Sequence, residues 1–194
     1  MAKINPKYEN PIDNFIVFDL CEPISDYLYN QKITPNIITT IVFISSLLSS
    51  YFLYQYKIYI FIPLYLFAYF CDCLDGFIAR KYNLETKFGD YYDHITDIFQ
   101  TVIILFIFIY RYSFFNFRKT VIFTLFLMIL FSITQGCQEK LMGKNTSDII
   151  GITKKMCSKS FKRQIDFIRV FGSGTMIFYI LFLAYYLWVK NHHN

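Results

Sequence analysis

Residues 72–97 read DCLDGFIARKYNLETKFGDYYDHITD, and this stretch places acidic and small residues at the spacing of two helices. Its first part follows i, i+3, i+4, i+7 and i+8, the spacing of one helix face, with Asp72, Asp75, Gly76, Ala79 and Arg80. Its second part recurs at every fourth residue, with Gly89, Asp93 and Asp97. Two antiparallel helices joined through the short polar connection 81–88 would turn these faces toward each other. The pattern therefore predicts that four carboxylates meet.

Four carboxylates at a membrane boundary cannot all stay ionised without compensating positive charge. Two divalent cations would balance four negative charges, and ligation by oxygen alone favours Mg²⁺, Mn²⁺ or Ca²⁺. Paired cations of this kind stabilise phosphoryl transfer, and Arg80 offers a fork of donors for a phosphate oxygen. Gly76 and Ala79 leave room for a ligand beside the acids. Close packing of helices through small residues explains the glycines equally well, and this alternative stays open.

The sequence around this stretch is apolar over lengths that suit a bilayer, which requires ~20 residues per helix. Five segments approach this length: 37–54, 58–77, 95–110, 120–134 and 175–189. The last two are short, and Arg118, Lys119 and Lys190 could extend toward the interface to help them span. With 55% hydrophobic and 17% charged residues, the chain is predicted to be an all-α integral membrane protein. We expect one domain over 1–194, with a bundle of five to six transmembrane helices.

Residues 1–35 are predicted to form a juxtamembrane segment rather than a span. Residues 11–29 alternate apolar and acidic side chains, which suits an amphipathic helix in the interface, interrupted near Pro23. A frayed polar tail is the alternative. The first residues lack the apolar core of a signal peptide, and Thr34 could cap the first span with Pro35 in its first turn. Residues 136–171 are predicted to be a cytosolic loop with amphipathic pieces, or to include a short buried sixth helix.

The distribution of basic residues orients the predicted bundle. If the N-terminus is cytosolic, 14 of the 19 Lys and Arg residues fall in cytosolic segments, as the positive-inside rule requires. The connection 81–88, and with it the active site, would then face the cytosol. Attraction to membrane lipids explains the basic loop better than a nucleic-acid partner does. Five cysteines predict no disulfide framework, and Cys71 and Cys73 are interpreted as small buried fillers.

The stretch 72–97 resembles the signature of the class-I CDP-alcohol phosphotransferases, D-x2-D-G-x2-A-R-x8-G-x3-D-x3-D, and matches all eight fixed positions. The segment Pro35-Asn36-Ile37-Ile38-Thr39 also resembles the entry into that family's first helix. The resemblance implies that Asp72, Asp75 and Asp93 are mainly ligands of two Mg²⁺ or Mn²⁺ ions. Asp97 would be the general base and also touch a metal. The resemblance further implies a CDP site lined by Gly76, Ala79 and Arg80, with Asn36 and Thr39 near the cytidine.

The reaction implied is transfer of a phosphatidyl or phospho-alcohol group from a CDP-linked donor to an acceptor hydroxyl, with release of CMP. CDP-diacylglycerol is the favoured donor, because residues 76–81 read GFIARK and not the GKQARR common in choline and ethanolamine phosphotransferases. The pair Asp93-His94 resembles those enzymes, so diacylglycerol as acceptor is the alternative. From another class, the rival is a non-catalytic cation-binding membrane protein, although ion passage has no need of Arg80. The sequence leaves a homodimer open.

Overall fold

The architecture was obtained as a computed structural model, which describes residues 8–142, 157 and 165–192. Its described residues form helices and turns, with no strand among them. In chain order the helices are α1 (Pro11–Phe15), α2 (Glu22–Asn30), α3 (Pro35–Tyr54), α4 (Ile58–Lys81), α5 (Lys87–Arg111), α6 (Arg118–Met142), α7 (Ile165–Ile168) and α8 (Ser173–His192). A π-helical turn, Ile16–Cys21, joins α1 to α2.

Five of the described helices are long and apolar enough to cross a membrane. Their spanning parts are Pro35–Tyr54, Ile58–Lys81, Lys87–Arg111, Arg118–Gln138 and Ser173–Asn191. The protein is thus an all-α multi-pass bundle, as predicted. The last two spans are longer than the sequence indicated. Likewise α4 and α5 run on through the acidic stretch, because its polar side chains turn inward while the opposite face stays apolar.

The N-terminal segment forms a helix that continues past Pro23 instead of breaking there. The π-helical turn Ile16–Cys21 precedes the proline, and α2 then begins with Pro23 in its first turn. A proline ring clashes with the carbonyl four residues earlier and lacks an N–H, and a wider turn relieves both problems. The predicted interruption is therefore a local widening. One side of this segment is buried against the bundle through residues that include Asp13, Val17 and Cys21.

Helix α3 is the element against which the two acidic helices are aligned. It packs along both α4 and α5, which contact each other far less than they contact α3. Pro35 occupies the first turn, as predicted, but Thr34 makes no side-chain cap hydrogen bond. Small buried side chains on α3 allow its neighbouring helices to approach it closely. These side chains are Ser45, Ser46, Ser49 and Ser50.

Two apolar clusters stabilise the bundle, one away from the acidic residues and one among them. One lies at the far end and includes Phe61, Phe108 and Leu187. The other lies where the N-terminal segment packs on α3 and α4, and it includes Val17, Val42 and Ile78. On α4, Asp72 and Asp75 alternate with members of the second cluster such as Cys71 and Leu74, so apolar packing around the acids fixes their positions.

The charged stretch 136–171 differs from its prediction in two ways. Helix α6 continues to Met142, so the loop prediction is wrong for residues 136–142. Cys137 and Cys157 form a disulfide, so the prediction that the cysteines form none is also wrong. An odd cysteine count could not reveal this pair, because pairing depends on which chain segments meet. Between Met142 and Ile165 the structure describes only Cys157, so a sixth helix in that interval lies outside the described residues, and α7 (Ile165–Ile168) is a single short turn.

Candidate active site

The four predicted acids come together between α4 and α5. One carboxylate oxygen from each of Asp72, Asp75 and Asp93 lies within 4.8 Å of the others. A second group with the same spread consists of Asp93, His94 and Asp97. Asp93 belongs to both groups and links them. The sequence pattern predicted the four aspartates, and His94, which directly follows Asp93 on α5, joins the second group.

Local contacts fix the two helices that carry these acids. Thr86 caps α5, and its side-chain oxygen accepts a hydrogen bond from Gly89 N at 3.0 Å. The cap sets where α5 begins, which turns Asp93 and Asp97 toward α4. On the other side, Thr39 Oγ1 lies 2.6 Å from Asp75 Oδ2 and 3.1 Å from Pro35 O. A carboxylate is the stronger acceptor, so the Thr39 hydroxyl orients the buried Asp75.

The donor set suits hard divalent cations. Asp72, Asp75 and Asp93 offer carboxylate oxygens only, which are the ligands that Mg²⁺, Mn²⁺ and Ca²⁺ prefer. The second group adds one imidazole nitrogen, which Mn²⁺ also accepts. Burial of Asp75 next to two further acids would be costly without positive charge nearby. The residues present therefore fit divalent cations at this place.

A small cavity of about 100 Å³ opens beside the acids, and all five residues predicted for the CDP site line it. These residues are Asn36, Thr39, Gly76, Ala79 and Arg80. A Cβ at Gly76 would lie 2.8 Å from Arg80 Nη1, so the glycine makes room for the guanidinium. A Cβ at Gly89 would lie 3.0 Å from Asn36 Oδ1, so this glycine lets α5 approach α3. Both glycines thus serve the cavity as well as helix packing.

A larger cavity of about 610 Å³ lies on the other side of Arg80. Asp72, Asp93 and Asp97 line it together with residues that the sequence pattern did not mark. Those residues come from the N-terminal segment, α4, α6 and the start of α8, and they include Glu9, Asp13, Tyr69, Ser132, Gln135 and Ser173. No local periodicity connects them, so only packing between distant segments could reveal this wall.

Arg80 stands between the two cavities and lines both. Its Nε is buried and has no hydrogen-bond partner among the described residues. A buried donor without a partner costs ~1–3 kcal/mol, and more when it carries charge. An anionic oxygen next to the acids and their cations would remove this cost. Arg80 is accordingly placed to bind a phosphate that reaches from one cavity to the other.

Comparison with known proteins relates the chain to one protein family. The family model for CDP-alcohol phosphatidyltransferase matches residues 32–189. An uncharacterised protein of Aquifex aeolicus is 31% identical over 97 residues, which cover 50% of this chain and 45% of that protein. Archaetidylinositol phosphate synthase of Pyrococcus horikoshii is 37% identical over 107 residues, which cover 55% of this chain and 52% of that protein. The chain spans about half the length of the curated relatives it matches, and no solved structure matches it.

The hydrogen bond between Thr39 and Asp75 makes a testable contribution to cation binding. Replacing Thr39 by Val removes the hydroxyl at constant shape, so Asp75 loses the group that orients it. We expect Thr39→Val to weaken Mn²⁺ binding about tenfold, as measured by electron paramagnetic resonance of free Mn²⁺. Thr39→Ser should restore it, and Thr40→Val on the exposed side of α3 serves as the control. Unchanged binding in Thr39→Val would show that Asp75 is oriented by other contacts.

Proposed function

The chain belongs to the CDP-alcohol phosphatidyltransferase family, and from this we propose that it transfers a phosphatidyl group from a CDP-linked donor to an acceptor alcohol, releasing CMP. The observation that carries the proposal is the position of Arg80 beside the four acids, between a small and a large cavity. The name of the relative from Pyrococcus horikoshii, archaetidylinositol phosphate synthase, supports a reaction that joins a lipid group to a polar alcohol.

The small cavity is the proposed site of the CDP moiety. Asn36 and Thr39 offer polar atoms from α3, and Gly76 and Ala79 leave the α4 backbone accessible. The diphosphate would then lie against Arg80, whose guanidinium donates to its oxygens. The larger cavity receives the acceptor, because it contains Asp97 and has room for a second substrate. CDP-diacylglycerol remains the favoured donor.

Asp72, Asp75, Asp93 and Asp97 are the residues proposed to hold two divalent cations, Mg²⁺ or Mn²⁺. When bound, such cations would polarise the diphosphate of the donor and stabilise the charge on the attacking oxygen of the acceptor and on the leaving oxygen of the donor. The protein itself orients the carboxylates that would hold these cations. Thr39 fixes Asp75, and the cap at Thr86 fixes the register of Asp93 and Asp97. A rigid arrangement of this kind lowers the cost of aligning the two substrates.

Asp97 is the proposed general base. It is the most exposed of the four acids and lines only the larger of the two cavities, where an acceptor hydroxyl would enter. Its carboxylate would take the hydroxyl proton while the alcohol oxygen forms a bond to the β-phosphorus of the donor. The bond from that phosphorus to the bridging oxygen breaks, and CMP leaves with the electron pair. Arg80 stabilises the charge on the departing phosphate.

One observation favours a second candidate reaction. His94 offers a ligand atom within 4.8 Å of Asp93 and Asp97, and the pair Asp93-His94 is the feature that resembles choline and ethanolamine phosphotransferases. In that reaction diacylglycerol would be the acceptor. A non-catalytic cation-binding protein is less consistent with the site, since ion binding requires neither Arg80, whose Nε is buried, nor two adjoining cavities.

The active site is proposed to face the cytosol. The turn after α4 lies at the same end of the bundle as the N-terminal segment, and by the sequence count most Lys and Arg residues belong to segments predicted for that side. The opposite end carries the turns at residues 55–57 and 112–117, where Arg111 stacks on Tyr54 and Tyr56. The charge asymmetry of the loops is the support for this orientation.

A direct assay tests the proposed reaction. Purified protein should release CMP from CDP-diacylglycerol or from CDP-choline when a suitable alcohol and Mg²⁺ or Mn²⁺ are present. EDTA should abolish the release, and added Mg²⁺ should restore it. Asp72→Asn should also abolish it by removing one oxygen ligand, whereas the exposed Asp19→Asn should behave like the wild type. CMP release that continues undiminished in EDTA would contradict the proposed use of divalent cations.

Equilibrium binding of the donor distinguishes the proposed general base, Asp97, from a proposed metal ligand, Asp75. Asp97→Asn should retain equilibrium binding of a labelled CDP-linked donor while losing transfer, because Asp97 lines only the acceptor cavity. Asp75→Asn should weaken donor binding, because Asp75 lies in the wall of the nucleotide cavity. If both variants lose donor binding equally, the four acids act as one coordination unit, and His94 becomes the candidate for accepting the proton.

Cysteine labelling in sealed, right-side-out vesicles tests the orientation. In a background without the five native cysteines, Glu85→Cys places a thiol in the exposed turn between α4 and α5, and Lys57→Cys places one in the opposite turn. A membrane-impermeant maleimide added outside should label the second variant and spare the first. The reverse pattern would place the active site on the outer face.

A further inference from the structure

The N-terminal segment supplies a wall of the acceptor cavity, although it precedes the family match at residues 32–189. Glu9, Asp13 and Val17 all line this cavity opposite the metal-binding acids. The segment therefore contributes to the space in which the acceptor would bind.

Specific contacts hold this segment in place. Asn10 Nδ2 lies 3.1 Å from Arg169 O, 2.8 Å from Val170 O and 3.0 Å from Thr175 Oγ1. Two glycines at the start of α8 allow the close approach. A Cβ at Gly172 would lie 2.8 Å from Asn10 Cβ, and one at Gly174 would lie 2.7 Å from Ile12 Cβ. The N-terminal segment that forms this wall is thus packed against the start of α8 by specific contacts.

Asp13 is the central residue of this wall. Its side chain is buried, and Oδ1 accepts a short hydrogen bond from the Tyr69 hydroxyl. Oδ2 accepts a hydrogen bond from Ser173 Oγ at 3.1 Å, and the backbone N–H of Gly174 also donates to this carboxylate. Tyr69 lies one helical turn before Asp72 on α4. Burial raises the pKa of Asp13, and these three donors oppose the shift by stabilising the carboxylate.

The cavity around Asp13 is rich in hydrogen-bond acceptors and negative charge. Its acidic lining residues are Glu9, Asp13, Asp72, Asp93 and Asp97, and among the described residues Arg80 is the one strong base in the lining. Two divalent cations would balance the four signature acids, and Arg80 faces the donor phosphate. Asp13 lies outside that balanced set. A carboxylate has four lone-pair positions, so Asp13 can accept one more hydrogen bond beyond its three present donors.

We propose that Asp13 determines acceptor specificity, selecting an alcohol without a phosphate group, either neutral or cationic, over a phosphorylated one. This inference rests on the proposed transferase function. A hydroxyl or ammonium group can donate to Asp13, whereas a phosphate would meet a like charge in a confined space. In this respect the chain would differ from the relative named for archaetidylinositol phosphate.

Acceptors that share a carbon skeleton test the proposal on the full-length protein. We would measure CMP release from CDP-diacylglycerol with glycerol, 3-amino-1,2-propanediol and glycerol 3-phosphate, and with inositol and inositol 1-phosphate. The expected kcat/KM for the unphosphorylated members exceeds that for the phosphorylated members by at least about tenfold. In Asp13→Asn this ratio should fall at least about threefold, with donor binding unchanged, because the amide keeps the shape and loses the charge.

Two matched variants distinguish the effect of the Asp13 charge from the effect of the hydrogen bonds that hold Asp13 in place. Ser173→Ala removes one donor to Asp13 but keeps its charge, so it should lower the rate with all acceptors and leave the ratio unchanged. Asp19→Asn removes an exposed acid of the same segment and should change neither quantity. If Asp13→Asn fails to bind donor, the wild-type ratio still tests the proposal, since a preference for phosphorylated acceptors contradicts it.

Failure of the specificity role and failure of the transferase function give different results. A wild-type preference for phosphorylated acceptors, or an unchanged ratio in a donor-binding Asp13→Asn, overturns the specificity role and leaves the transferase function standing. Absence of CMP release with every acceptor, with either CDP-diacylglycerol or CDP-choline as donor, overturns the transferase function and this inference together.

Discussion

Mutual repulsion among four carboxylates between two membrane helices is the constraint that the rest of the structure accommodates. Each acid costs ~2.5–3.5 kcal/mol near the centre of a spanning helix, before repulsion between them is counted. An isolated pair of α4 and α5 would separate under this repulsion. Helix α3 packs along both of them and holds the acids across a gap that suits divalent cations. Thr39 on α3 also orients Asp75, so the helix that aligns the site contributes to its chemistry.

The apolar clusters stabilise the bundle, while the polar residues are arranged for ligands. Phe61 and Leu187 belong to a cluster at the far end, while Val42 and Ile78 pack near the N-terminal segment. These close-packed regions stabilise the helices, while Asp72 and Asp75 occupy a different face of α4 from the apolar residues around them. Arg80 illustrates the result, since its buried Nε has no partner among the described residues. A ligand phosphate would satisfy it.

The cavity on the far side of Arg80 depends on chain segments that are distant in sequence. The N-terminal segment docks on α8 through Asn10, and the glycines that permit this contact lie more than 150 residues away. Asp13 then joins Tyr69 of α4 to the first turn of α8. In the proposed function the signature 72–97 supplies the reaction centre, and in the proposed role of Asp13 the N-terminal segment helps to select the acceptor.

The sequence by itself determined the features that follow from helical periodicity and span length. Asp72, Asp75 and Arg80 share a face of α4 because side-chain direction on a helix is set by local spacing, and apolar length alone identified five spans. Tertiary structure alone decided the burial of Asp13 and the Cys137–Cys157 disulfide. These features depend on which surfaces meet, and packing among distant residues selects that. Periodicity gives the direction of a side chain about its own helix axis, and it carries no information about the neighbour that the side chain will face.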